Sequence, residues 1–332
     1  MRIICYVLVL IFFSCSSSDS NILVVNSGEA QGSYYHIKYM SNNGLDYHSN
    51  IDSLLMEVDS SLSIYKRYSL ISRLNSGEQL KTDSLFNTVF MASQKVFLES
   101  EGNFDCSVSP LLNAWGFYKD KLGDSIVVDS AKFRSILLDI GFGRIKLIGD
   151  SLVLPSNMSL DFNSIAQGFT VDLIAHYLES KGIVNYLIEV GGEILAKGMN
   201  DDGDIWRVGV DKPLASIDIN DRFQFILHLE NKALATSGNY RKFYEMDGVK
   251  YSHTISPFTG FPAQNNLLSV TVIHDNCMLA DAYATAFMVM GVKQTKQFVA
   301  KHADIEIYLI YIGKDGDWET YISRKMLERL IN

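Results

Sequence analysis

Asp281 and Thr285 lie in the apolar stretch Leu279–Gly291, LADAYATAFMVMG, where a helix would place a carboxylate and a hydroxyl on one face, one turn apart. An ionised carboxylate in an apolar element needs a cation or hydrogen-bond donors, because desolvating it unpaired costs several kcal/mol. A hard cation such as Mg²⁺ takes oxygen ligands and commonly uses one or two carboxylates, waters and substrate phosphates. The other reading of the pair is an acid at the positive end of a helix dipole, with Thr285 bonded back to its own helix. His253 stands in Tyr251-Ser252-His253-Thr254-Ile255-Ser256-Pro257, a hydroxyl-rich run bounded by the breakers of Thr259-Gly260-Phe261-Pro262. A ligand loop there would let His253 act as a general base or phosphate donor. A structural histidine bonded to a carbonyl is the alternative.

The elements that must position these groups are legible from periodicity. Asn163 or Ser164 can cap a helix from Ile165 to about Lys181 that stops at Gly182, and Gln167, Thr170 and Leu173 fall in its first turns, where free N–H groups attract phosphate. A strand over Tyr186–Val190 then meets the Gly191-Gly192-Glu193 turn, which is neither a Walker loop nor a GxGxxG fingerprint. Alternation and β-propensity predict further strands over Ser33–Met40, Ile205–Val210, Arg222–Leu229 and Leu267–His274, and a short one at Leu160-Asp161-Phe162. Hairpins are expected over Arg144–Leu154 and over Ile305–Ile312 with Trp318–Ile322, the latter followed by a short helix. Amphipathic helices are expected over His48–Leu62 and Asn87–Glu99. Ala235–Tyr240 reads as part of the ligand loop. Tyr65, in a polar loop, could stack on a planar ligand or sit at an interface. Trp115 beside Gly116 marks either a place where backbone approaches a ligand or a core tryptophan.

The 332 residues are 47% hydrophobic with a formal net charge of −9, enough apolar surface for a sizeable core. No basic stripe of the kind nucleic acid requires is present, so nucleic acid is not expected as a partner. Arg2, the short apolar run Ile3–Phe13 and Ser14-Cys15 resemble a bacterial lipoprotein signal, with Cys15 lipidated. The expected organisation is a signal over 1–14, a tether over 15–25 and one folded domain over 26–332. Cys106 and Cys277 then remain in the domain, and two buried thiols are expected.

Taken in order, Gly32-Ser33, Leu62-Ser63-Ile64-Tyr65, Phe104-Asp105 with Trp115-Gly116-Phe117, Leu160-Asp161-Phe162 through Ala166-Gln167-Gly168-Phe169 to Asp172, Val190-Gly191-Gly192-Glu193, Thr236-Ser237-Gly238-Asn239-Tyr240, Ser252-His253-Thr254-Ile255 with Pro257, and Ala280-Asp281-Ala282 with Thr285 and Met290-Gly291 together resemble the ApbE family of FAD:protein FMN transferases. The resemblance implies an α+β fold, T-fold-like, in one domain with mixed or antiparallel sheets and packed helices. It implies FAD as substrate, Mg²⁺ at its pyrophosphate, and transfer of FMN to a threonine or serine hydroxyl of an exported flavoprotein with release of AMP. It further implies that Gln31, Tyr65, Ala114, Trp115, Gly116, Gln167, Leu173 and Ile255 line the FAD site. Asp281 and Thr285 would hold the metal through side chains and Thr170 through its carbonyl, with His253 and Asp281 catalytic. The chain would face the periplasm, anchored to a membrane of the cell envelope through Cys15. Three positions depart from the family pattern: Ala284 replaces a second acid on the metal helix, Gln167 a frequent Lys or Glu, and Ser256 the usual Asp before Pro257. The alternatives are an FAD pyrophosphatase yielding FMN and AMP, an FAD-binding lipoprotein without turnover, and a flavin redox enzyme.

Overall fold

The computed structural model describes residues 21–118, 130–212, 222–239, 243–246, 249–252 and 254–331. Its strands are β1 (Asn21–Ala30), β2 (Ser33–Asn42), β3 (Lys146–Ile148), β4 (Ser151–Val153), β5 (Tyr186–Val190), β6 (Glu193–Lys197), β7 (Arg207–Asp211), β8 (Phe223–His228), β9 (Lys232–Gly238), β10 (Phe243–Met246), β11 (Val249–Ser252), β12 (Leu267–His274), β13 (Glu306–Ile312) and β14 (Trp318–Ile322). Its α-helices are α1 (His48–Leu62), α2 (Leu70–Asn75), α3 (Ser84–Glu99), α4 (Ser109–Ala114), α5 (Ser130–Leu137), α6 (Ala166–Ser180), α7 (Cys277–Val299) and α8 (Arg324–Leu327). Strands and helices are thus interspersed around antiparallel pairings, an α+β fold.

Eight strands form the main sheet in the order β1-β2-β5-β6-β9-β12-β13-β14, and every neighbouring pair in it is antiparallel. The central strands are apolar on both faces because both are covered, which makes β12 a nearly continuous buried run rather than an alternating one. Val272 and Leu309 point into the layer of helices α3 and α7. Ile273, Tyr308 and Ile310 point the other way, against the β7–β8 ribbon, Trp206 and Met326. On the helix side, β5 and β2 supply Val190, Ile188 and Ile37 to a second cluster with Val171, Ile174 and Cys277.

Several expectations change in the folded chain. Residues 21–25, assigned to the tether, belong to β1, which pairs with β2 along all ten of its residues from Asn21↔Asn42 to Ala30↔Ser33. Leu160-Asp161-Phe162 is not a strand, because its backbone is satisfied elsewhere: Leu160 N donates to Asn75 Oδ1, Leu160 O accepts from Asn75 Nδ2, and Asp161 N donates to the Cys106 carbonyl. Neither Asn163 nor Ser164 caps α6, which begins after Ile165 without a side-chain cap. Ala235–Gly238 is the end of the central strand β9 rather than a loop, its polar side chains tolerated because Thr236 Oγ1 bonds Thr271 Oγ1 across the strand pair at 3.0 Å. The loop after Tyr65 contains α2, capped by Ser69, whose side chain accepts from Ser72 N. Cys106 and Cys277 are both buried and free, as expected.

The chain's end returns to the sheet. Arg329 forks onto Glu306 at 2.8 and 2.9 Å, with the Glu306 side chain only 4% exposed, and Ile331 N donates to the Ile226 carbonyl. Removing one member of a buried pair strands the other charge, at roughly 3–5 kcal/mol when both are fully buried. Because Arg329 keeps some contact with water, Arg329→Ala is expected to cost about 2 kcal/mol, checked by denaturant unfolding.

Candidate active site

The site forms where the first turns of α6 and α7 meet the β5–β6 turn. A helix leaves four N–H groups free at its start, and at α7 these are taken by side chains: Asp172, from α6, accepts from Cys277 N at 3.0 Å and from Met278 N at 2.9 Å, while Asn276 Oδ1 accepts from Leu279 N at 2.9 Å. Burial raises the Asp172 carboxyl to about 6, against the opposing pull of those two N–H groups. Asp172→Ala frees both donors and is expected to cost about 1–2 kcal/mol, the usual range for losing a cap, read as a drop in the unfolding midpoint.

Asp281 therefore does not serve the helix dipole. It lies a full turn inside α7, 6% exposed, and its Oδ2 accepts from Gly168 N on α6 at 3.0 Å. That contact needs glycine, since a Cβ at position 168 would stand 2.4 Å from the Cys277 carbonyl oxygen and 2.8 Å from Asp281 Cβ. Burial pushes the Asp281 carboxyl up to about 7 although the Gly168 N–H favours the charged form. Thr285 follows one turn later, half-buried, so the two oxygens share a face of the helix.

Opposite them, β5 and β6 are joined by Gly191 and Gly192, both at positive φ (68° and 112°), the two-residue hairpin geometry that glycine adopts without strain. Gly191 also sits against Gln167, whose Nε2 would be 2.0 Å from any Cβ there. The turn delivers Glu193, 6% exposed, with one carboxylate oxygen, Oε2, buried and without a hydrogen-bond partner. Burial, then the neighbouring Asp281 charge, holds the Glu193 carboxyl well above the usual range. Gln31, itself at φ 53°, donates from Nε2 to Thr170 Oγ1 at 2.6 Å, and Thr170 Oγ1 donates to the Ala166 carbonyl at 2.7 Å. Gln31 Oε1 is a second buried oxygen lacking a partner. Buried acceptors without donors are rare and point to something that binds them. Among the described residues no three His, Cys, Asp or Glu side chains are placed to hold a metal. Two carboxylates and neutral oxygens do match a hard cation completed by waters and substrate phosphates.

A polar shelf lies beside this corner. Tyr65 is 64% exposed and meets Tyr118 edge to face at 6.3 Å and 88°, its hydroxyl accepting from Asn163 Nδ2 at 3.3 Å. Tyr118 donates to Asp161 Oδ2 at 2.6 Å, and burial followed by the Asp161 charge pushes its phenol far above the ordinary value. A solvent-facing ring braced by a second ring suits stacking on a planar ligand.

Other expected residues have different surroundings. Trp115 is 1% exposed; its Nε1 donates to the Gly260 carbonyl at 2.9 Å, and its ring packs on Phe133 and Phe261 at 4.7 and 5.7 Å. Ile255 belongs to the same buried cluster. These two side chains tie α4 to the 254–262 loop, while Ala114 ends α4 and Gly116 turns the chain at φ 75°. Leu173 is half-buried and packs against the large core. His253 lies outside the described residues; Thr254, next to it, donates from Oγ1 to Asn239 Oδ1 at 3.3 Å. Sequence reasoning missed the positions of Glu193, Asp172 and Tyr118. The signal for Glu193 was an acid directly after a diglycine turn, but which acid it faces is a tertiary matter.

The chain is similar to known proteins over most of its length. The family model described as "ApbE family" matches residues 31–309. The chain is 38% identical over 299 residues to the FAD:protein FMN transferase of Vibrio cholerae, covering 87% of this chain and 88% of the relative. It is 31% identical over 288 residues to that of Escherichia coli, covering 82% and 79%. Among solved structures, flavin transferase ApbE from Vibrio cholerae superimposes with a TM-score of 0.83 at 35% identity, covering 93% of this chain and all of that one. The apo flavinyl transferase ApbE of Pseudomonas stutzeri gives 0.83 at 30% identity, covering 93% and 97%. A family match over most of the sequence, with relatives above 30% identity along nearly their whole length, leaves one conclusion: the chain belongs to the ApbE family.

Proposed function

We propose that this chain is an enzyme that transfers FMN from FAD to a hydroxyl of a protein acceptor, with a divalent cation such as Mg²⁺. The observation that carries the reading is the buried carboxylate of Asp281, fixed by Gly168 N–H beside the two unpartnered oxygens of Glu193 and Gln31, in a chain whose relatives are named for this transfer. The acceptor, a threonine or serine of an exported flavoprotein, attacks the flavin-side phosphorus of FAD. The bond from that phosphorus to the bridging oxygen breaks, and AMP leaves with the oxygen. The hydroxyl proton passes to a base, the role we assign to His253.

Transfer of this kind rests on positioning and on neutralising phosphate charge. Asp281 and Thr285 would hold the cation through their side chains, with Thr170 contributing its carbonyl from α6. Bound there, it would draw charge from the non-bridging oxygens. Tyr65 offers its face to the isoalloxazine, and the backbone at Ala114, Trp115 and Gly116 closes the flavin side, with Gln31, Gln167, Leu173 and Ile255 around the nucleotide. The signal at the N-terminus supports a lipid on Cys15 and a place in the cell envelope facing the periplasm.

The test is incubation of protein lacking residues 1–20 with FAD and Mg²⁺, with and without an exported flavoprotein carrying a candidate threonine. Fluorescent flavin that stays on the acceptor through denaturing electrophoresis, with equimolar AMP, is the expected result. AMP with free FMN alone would make water the acceptor, and no AMP under any condition would overturn the reading.

A further inference from the structure

We infer that Glu193, from β6, is the second carboxylate of the cation site, so that the divalent ion is held between the β5–β6 turn and α7. The inference rests on the cation reading of Asp281 above.

Three geometric observations support it. In the β5–β6 ladder Glu193 pairs directly with Val190, and directly opposed residues of an antiparallel pair project to the same face. Val190 belongs to the buried cluster that contains Val171 and Ile174 of α6 and Cys277 of α7, so Glu193 points into the layer where those two helices start. The adjoining residues touch the same corner: Gly191 lies against Gln167, and the Ile194 carbonyl accepts from Cys277 Sγ at 3.6 Å. Lastly, Glu193 Oε2 is buried and has no donor, although a carboxylate in that position ordinarily collects several. A packing role does not account for a charged side chain there, because glutamine or an aliphatic residue would fill the volume without the desolvation penalty.

The charges around it agree. No Lys, Arg or His among the described residues forms an ion pair with Glu193 or Asp281. Two acids thus share a buried corner with no cationic side chain paired to either among the described residues, an arrangement suited to a metal ion. The oxygen-only donor set selects a hard ion, Mg²⁺ or Mn²⁺, over zinc.

The experiment measures Mn²⁺ binding by electron paramagnetic resonance, with FAD present and no acceptor, for wild-type protein and for Glu193→Gln, Asp281→Asn and Glu189→Gln. Glu189 pairs with Ile194 and so points to the opposite face, which makes it the control. Glu193→Gln is expected to weaken Mn²⁺ at least about tenfold, the scale of losing a ligand or its close support, and to abolish most of the rise in unfolding temperature that Mn²⁺ produces. Without metal, Glu193→Gln should melt within a few degrees of the wild-type temperature, since glutamine keeps the side chain's volume; this separates lost binding from misfolding. Mn²⁺ affinity within twofold of wild type in Glu193→Gln, alongside loss in Asp281→Asn, would overturn the inference and leave the cation site standing. Unchanged affinity in both variants would instead overturn the cation reading itself.

Discussion

Asp281→Ala is expected to lower kcat/KM for FMN transfer by at least about 10³-fold, equivalent to roughly 4 kcal/mol of transition-state stabilisation. The carboxylate is held across the junction of α6 and α7 by the Gly168 N–H. On the proposed function its removal would take a carboxylate from the cation, and a hard ion that loses an acid ligand loses both charge compensation and geometry. The same substitution should leave the metal-free fold in place, because it deletes a carboxylate that burial already disfavours in its charged form. An unfolding temperature within a few degrees of wild type, measured without metal, together with the kinetic loss, is the expected pair of results. Full activity in Asp281→Ala would show that the phosphate charge is neutralised elsewhere.

Gly168→Ala comes second, and its sign is informative. In a helix interior alanine is favoured over glycine by about 1 kcal/mol, so on propensity alone the variant would be more stable. The new methyl would instead stand 2.4 Å from the Cys277 carbonyl oxygen, which is backbone and cannot swing aside. The helices must separate, and overpacking of this kind costs typically 1–3 kcal/mol. A net loss of about 2–3 kcal/mol is expected in denaturant unfolding. The shift also withdraws the Gly168 N–H from Asp281, and a displacement near 1 Å at a catalytic corner can cost about 100-fold in rate. A variant as stable and as active as wild type would contradict the close crossing of α6 and α7.

The two variants separate charge from position. Asp281→Ala removes the ligand and leaves the packing, whereas Gly168→Ala keeps the ligand and moves it. The expected signatures, lost turnover with retained stability against loss of both, are distinguishable on the same instruments.

Much of the fold was written locally. The helix His48–Leu62 has the extent its 3.6-residue pattern implies, and β12 and the β13–β14 hairpin follow directly from β-branched and aromatic runs bounded by turn residues. The diglycine after Tyr186–Val190 announced a turn, and Asp281 with Thr285 announced a polar stripe on an apolar helix. These are decided by neighbours a few residues away, which is why they can be read without coordinates.

What local pattern could not settle was which surface each polar group meets. Trp115 beside Gly116 carried the same local signature whether its ring faced a ligand or the core, and only the arrival of Gly260, Phe133 and Phe261 made it a core residue. Ala235–Gly238 looked like loop because of its hydroxyls, yet β12 pairs with that backbone along its whole length and draws it into the sheet. The resemblance placed a second acid one position before Thr285, where this chain has Ala284, whereas Glu193 lies on a different element and only the β5–β6 register turns it toward the helices. The sequence by itself determined the family and the helix bearing Asp281 and Thr285. Only the tertiary structure brought Gly168 and Asp172 of α6 to that helix, Glu193 from β6 to the same corner and Gln31 from the turn after β1 to Thr170 of α6, because their proximity arises from sheet register and helix packing between residues separated by tens to hundreds of positions.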